Sequence, residues 1–137
     1  MKKLSLALAF ALLSTASFGS EAEKGLIERW YAALGSVNRA EFQEILSDKA
    51  KITLGDLDIV QTKAEFITSL DEWQDAMKGA AIRHAIDSDA DGLVTVSVCY
   101  KFPDNEALGR EVFAFDGGKI VSSEQETIAE SCESFPG

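Results

Sequence analysis

The apolar positions of this chain change period near its middle. In the first half they recur at helical spacing, and from Ile82 onward they alternate. Within SEAEKGLIERWYAALG (20–35), Leu26, Ile27, Trp30, Tyr31 and Leu34 form one stripe, which predicts a helix with one buried face. Ser20 with Glu23 has the pattern of a capping box, and Gly35 is the expected stop. A second helix is predicted over 38–47, capped by Asn38, with Phe42, Ile45 and Leu46 inward. AKITL (50–54) and LDIV (57–60) read as two short strands turned by Gly55–Asp56. A third helix is predicted over 62–77. Thr62 and Glu65 make its capping box, and Phe66, Ile67, Leu70, Trp73 and Met77 its apolar face.

The second half reads as four strands: 81–87, 93–102, 110–116 and 119–127. Asp-Ala-Asp-Gly and Asp-Gly-Gly supply hairpin turns between them, and Pro103 closes the second. The tail from 128 is short and is expected to lie over the sheet. The order predicts an α+β domain, with about three N-terminal helices packed on one face of a curved antiparallel sheet.

Alternation also says which side chains share a face. Ile82, His84 and Ile86 belong together. So do Val94, Val96, Val98, Tyr100 and Phe102, then Glu111, Phe113 and Phe115, then Ile120, Ser122, Glu124 and Glu126. The apolar members mark the core side. His84, Tyr100, Glu111, Glu124 and Glu126 are therefore polar groups expected to point inward, toward Trp30 and Tyr31. Burying a polar group is costly unless it is paired, so this set is the functional hint in the sequence.

LIERWYAALGSVNRAEFQEILSDKAKI resembles the opening of nuclear transport factor 2-like (SnoaL-like) domains, and REVFAFDGGKIVSSEQ is similar to their closing hairpin. The resemblance spans most of the chain after residue 19. It implies a cone-shaped roll with a cavity between helices and sheet, and a homodimer through the sheet. The family includes isomerases, cyclases, dehydratases, epoxide hydrolases and non-catalytic binding domains, so the resemblance alone does not select a function. The isomerase set of an Asp base with Tyr and acid donors, and the epoxide hydrolase Asp-Arg-Asp set, are not matched. No Asp falls on the inward faces of the long strands.

Composition adds compartment. The 137 residues are 46% hydrophobic with two prolines and ten glycines, ordinary for one domain. MKKLSLALAFALLSTASFGS has a basic start, a short apolar run and small residues, which reads as a secretory signal peptide over 1–19, cleaved after Gly19 or Ala16. The domain then occupies 20–137, periplasmic or secreted. Loss of Lys2 and Lys3 takes the formal charge from −10 to −12. Such a surface repels nucleic acid and anionic lipid, so neither is expected as a partner. Cys99 and Cys132 are expected to be bridged in an oxidising compartment, the alternative being two buried thiols.

Asp87, Asp89 and Asp91 followed by Gly92 imitate the start of a calcium loop. Counting from Asp87, the position that needs a bidentate Glu is Val98, and the flanks are strands. A hairpin turn accounts for the run. One His and no cysteine cluster argue against zinc, and there is no phosphate loop or nucleophile elbow. No cofactor is expected.

Three functions fit. The first is a domain binding a small, mostly apolar ligand through Trp30, Tyr31, Phe113 and Glu124, non-catalytic or accessory. The second is an acid–base enzyme of isomerase, dehydratase or cyclase type, with His84 as base and Tyr100 or Glu111 as donor. The third is a dimeric interaction module with a filled pocket.

Overall fold

The computed structural model describes residues 16–136, with side chains from residue 21. The predicted leader lies outside the described residues except for 16–19. Those four are continuous with the first helix, α1, which spans Ala16–Ser36. The helix therefore passes through Ser20, and the expected start there is not a helix boundary. At the other end the stop is Val37 rather than Gly35. Val37 takes φ +53°, and the Asn38 N–H reaches back to the Ala33 carbonyl at 2.9 Å, the closing bond of a Schellman turn. Asn38 then caps α2 (Arg39–Ile45) through its side chain, so one residue ends one helix and starts the next.

The chain continues as β1 (Leu46–Leu54), a 3-10 turn (Gly55–Leu57), β2 (Ile59–Thr62) and α3 (Lys63–Ala76). The Thr62–Glu65 capping box is present as predicted. The Glu65 N–H donates to Thr62 Oγ1 at 3.2 Å, and the Thr62 N–H donates to Glu65 Oε1 at 2.9 Å. Four long strands follow: β3 (Ala81–Ala90), β4 (Leu93–Lys101), β5 (Glu106–Asp116) and β6 (Lys119–Ala129). Asp91 and Gly92 have φ +57° and +77°, Gly117 and Gly118 +58° and +77°. These are two-residue hairpin loops in which both residues are left-handed; of the aspartate run, Asp91 is in the turn as read, while Asp87 and Asp89 lie within β3, which is longer than expected.

The sheet order is β2-β1-β6-β5-β4-β3. Neighbours are antiparallel except β1 and β6, which run parallel. The sheet is therefore mixed, where antiparallel pairing throughout was expected. The helices cover one face. Ile27, Trp30, Phe42, Ile45, Leu46, Ile52, Val94, Val96, Val98, Phe113 and Ile120 are all at most 1% exposed there, each large side chain contributing about 1.5–3 kcal/mol of burial.

On the other face lies the C-terminal tail. A disulfide joins Cys99 to Cys132, with Cα atoms 5.7 Å apart. The Cys132 N–H donates to Glu106 Oε1 at 3.0 Å, and Arg83 sits 4.8 Å from the centre of the Phe135 ring. The tail thus lies over the sheet, as expected.

One irregularity changes the site. Across β5 and β6, Phe115 pairs with Ile120 but Ala114 pairs with Ser122. Val121 is the extra residue of a β-bulge, and a bulge reverses the phase of alternation beyond it.

Candidate functional site

α1 and α3 stand away from the sheet at one end and leave a cleft of about 540 Å³. Its walls are mainly apolar: Trp30 and Leu34 from α1, Phe66, Leu70 and Trp73 from α3, Leu54 from β1, Tyr100 from β4 and Phe102 just beyond its end. Gln61, Ser69, Glu72, Gln125 and Thr127 add polar atoms. Helical spacing places Phe66, Leu70 and Trp73 on one side of α3, and the Phe102 ring, one residue past the end of β4, stacks on that of Tyr100.

Tyr100 also belongs to a buried polar cluster beside the cleft. Glu111 on β5 is 1% exposed. Its Oε1 accepts from Tyr31 Oη at 2.8 Å and Tyr100 Oη at 2.9 Å. Its Oε2 lies 3.4 Å from Ser123 Oγ. Burial raises the Glu111 carboxyl above the ordinary carboxylate range, opposed by the three hydroxyls and by the neighbouring His84. Burial first, then the Glu111 charge, pushes both tyrosine hydroxyls well above their ordinary value, so they remain donors. Oε1 already receives two hydroxyls.

His84 stands at the edge of this cluster. Its ring stacks on Tyr31 with centroids 4.4 Å apart and planes at 16°. Its Nε2 lies 3.0 Å from Glu28 Oε1.

The predicted site residues thus divide. Tyr100 and Glu111 share a face, as alternation predicts, but they are not cross-strand partners: Tyr100 pairs with Ala107 and Glu111 with Val96, and the Tyr100 ring reaches Glu111 by lying over Gly109. His84 stacks on the Tyr31 ring, makes no hydrogen bond to Tyr100 or Glu111 among those of the described residues, and is not among the residues lining the cleft. Of the predicted ligand contacts, Trp30 lines the cleft. Tyr31 (5% exposed) and Phe113 (0%) are sealed behind it. Phe113 sets its ring edge-to-face with Trp30 at 5.2 Å, a core role.

Glu124 is a correction. It pairs with Val112 and borders an outer-face groove with Arg110, Val112 and Glu126, away from Trp30. The bulge at Val121 is the reason, and it moves Glu126 with it. Ser123, Gln125 and Thr127 take the inward positions instead. Ser123 and Gln125 had no signal short of locating the bulge. Trp73 and Phe102 were on the right faces but read as core.

The indole N–H of Trp30 is buried and has no hydrogen-bond partner among the described residues. Its ring lies between Phe66, stacked at 18°, and Phe42, at 85°. Among the described residues no group of three His, Cys, Asp or Glu side chains is placed to hold a metal. None of the described helices is long and apolar enough to cross a membrane.

No protein-family profile matches the sequence, and no curated protein matches it. Solved structures match the fold. An NTF-2-like protein of unknown function from Burkholderia xenovorans superposes with TM-score 0.67 at 13% identity, over 88% of this chain and 97% of that one. A protein provisionally described as a ketosteroid isomerase, from Kribbella flavida, superposes with TM-score 0.66 at 15% identity, over 85% and 89%. IdmH of Streptomyces antibioticus, provisionally described as a polyketide cyclase, superposes with TM-score 0.66 at 13% identity, over 80% and 91%. At such identities the likeness shows the fold alone: three helices on a six-stranded mixed sheet, in the nuclear transport factor 2-like class.

Proposed function

We propose that this chain is a non-catalytic or accessory domain that binds a small, largely apolar ligand in the cleft between α1, α3 and the sheet. The carrying observation is the cleft itself. About 540 Å³ falls in the range of small-molecule sites, and an apolar wall with a few convergent polar groups is their usual make-up. The fold neighbours include both enzyme-type descriptions and proteins of unknown function, so chemistry must be argued from the residues. His84 does not border the cleft, and Glu111 reaches it only through Tyr100. A base acting on a bound ligand therefore has no candidate among the expected residues, which weighs against the acid–base reading.

The test uses Trp30 and Trp73, both of which line the cleft. Titration with small aromatic compounds should change tryptophan emission saturably, and Ala76→Phe, which adds bulk to the cleft lining, should weaken or abolish the change. Absence of any saturable response, together with no retained small molecule in native mass spectrometry, refutes the reading.

A periplasmic or secreted location is part of the proposal. It is supported by the leader-like N-terminus and by a disulfide, which persists in oxidising compartments. A homodimer through the open face of the sheet is likewise proposed, to be checked by sedimentation.

A further inference from the structure

We propose that the ligand of this cleft carries an organic ammonium group, held in the cleft lined by the rings of Trp73, Tyr100 and Phe102 and by the exposed carboxylate of Glu72. This rests on reading the cleft as a ligand site, and three observations carry it.

The first is charge. Among the described residues that line the cleft there is no Lys, Arg or His, and the single ionisable carboxylate is Glu72. The whole chain has a formal charge of −10. An anionic ligand would find no counter-charge there, whereas a cation finds one at the mouth and is attracted by the surrounding field.

The second is ring geometry. Tyr100 and Phe102 lie parallel within 6°, with centroids 6.2 Å apart. Trp73 stands nearly perpendicular to both, at 5.9 Å and 84° from Tyr100 and at 6.2 Å and 82° from Phe102. The three rings form one aromatic cluster lining the cleft. Their faces carry the negative part of the ring quadrupole, which attracts ammonium groups.

The third is the direction of the hydrogen bonds. The Tyr100 hydroxyl donates to Glu111, the Ser69 hydroxyl to the Phe66 carbonyl, and the Trp73 N–H to the Leu34 carbonyl. Each of these protons is committed inside the protein. Tyr100 and Ser69 can offer the cleft only lone pairs, and Trp73 only its ring. A ligand that donates is satisfied by such a wall. For a ligand that needs donors, the cleft offers only the Gln61 and Gln125 amides and the Thr127 hydroxyl.

The test compares three probes with the same phenyl body and different heads: phenethylamine, which is cationic at neutral pH, phenethyl alcohol and phenylacetate. Binding is read by tryptophan emission and by calorimetry. The expected order is phenethylamine about tenfold tighter than the alcohol, with phenylacetate weakest. Glu72→Gln, an exposed position whose change leaves the core untouched, should weaken phenethylamine by about threefold and leave the alcohol unchanged. If the alcohol or the carboxylate binds as well as the amine, the ammonium assignment is overturned while the apolar cleft stands. An amine preference that survives Glu72→Gln undiminished also overturns it. If none of the three binds at millimolar concentration, both the assignment and the ligand-site reading fall.

Discussion

Replacing Tyr100 with Phe removes one oxygen and leaves the ring against Trp73 and Phe102. The lost group is one of two hydroxyls on Glu111 Oε1, at 2.9 Å. A hydrogen bond to an ionised group contributes about 1.5–3 kcal/mol, and one between neutral groups about 0.5–1.5 kcal/mol. The cost of Tyr100→Phe therefore depends on the protonation of Glu111, and its sign with pH follows from linkage. Burial raises the folded-state value of Glu111 above its unfolded value. The stability tied to this group is thus fully present below the unfolded value, and it is lost as pH rises through the folded value. Removing a hydrogen bond that favours the carboxylate raises the folded value further. The variant therefore falls away from the parent toward alkaline pH, by about 1 kcal/mol at acid pH and about 2–3 kcal/mol where Glu111 is ionised. Urea unfolding followed by tryptophan emission across this range should show the gap widening, with a midpoint lower by roughly 1 M on the alkaline side. Glu111→Gln, whose side-chain oxygen can accept both hydroxyls, should abolish the widening when combined with Tyr100→Phe. A gap independent of pH, or one that narrows as pH rises, would refute this account of the cluster.

Further expectations concern the scaffold. Cys99→Ala with Cys132→Ala opens a bridge across 33 positions, and denaturant midpoints should report a loss of about 3–4 kcal/mol. Gly92→Ala meets no atom within 4 Å but stands at φ +77°, so thermal unfolding should show about 1–2 kcal/mol of pure backbone cost. Thr62→Ala removes a capping side chain that accepts from the Glu65 N–H; circular dichroism melts should show a loss of about 0.5–2 kcal/mol.

Much of this molecule follows from local rules that the sequence carries alone. The stripe of Leu26, Ile27, Trp30, Tyr31 and Leu34, the Thr62–Glu65 box, the Asp91–Gly92 and Gly117–Gly118 turns and the inward set of β4 each depend on residues a few positions apart. A period, a cap or a positive φ is a short-range property, so it can be read without knowing the fold. Where two strands each obeyed simple alternation, a shared face followed too, so Tyr100 and Glu111 point to the same side, although their contact needs the register that lays the Tyr100 ring over Gly109.

What local rules could not supply were events that need two distant segments at once. The parallel pairing of β1 with β6 depends on how the first half of the chain docks on the second. The bulge at Val121 is set by the pairing of β5 with β6, and it sends Glu124 outward while bringing Ser123 and Gln125 inward. Val37, not Gly35, ends α1 because Asn38 must close one helix and cap the next. Whether an aromatic residue fills the core or faces open space was equally undetermined: Trp73 and Phe113 carry the same apolar signal. Only the gap left where α1 and α3 stand off the sheet makes one a cleft wall and the other a buried ring, since a cavity is a property of the packed arrangement and of no single residue in it.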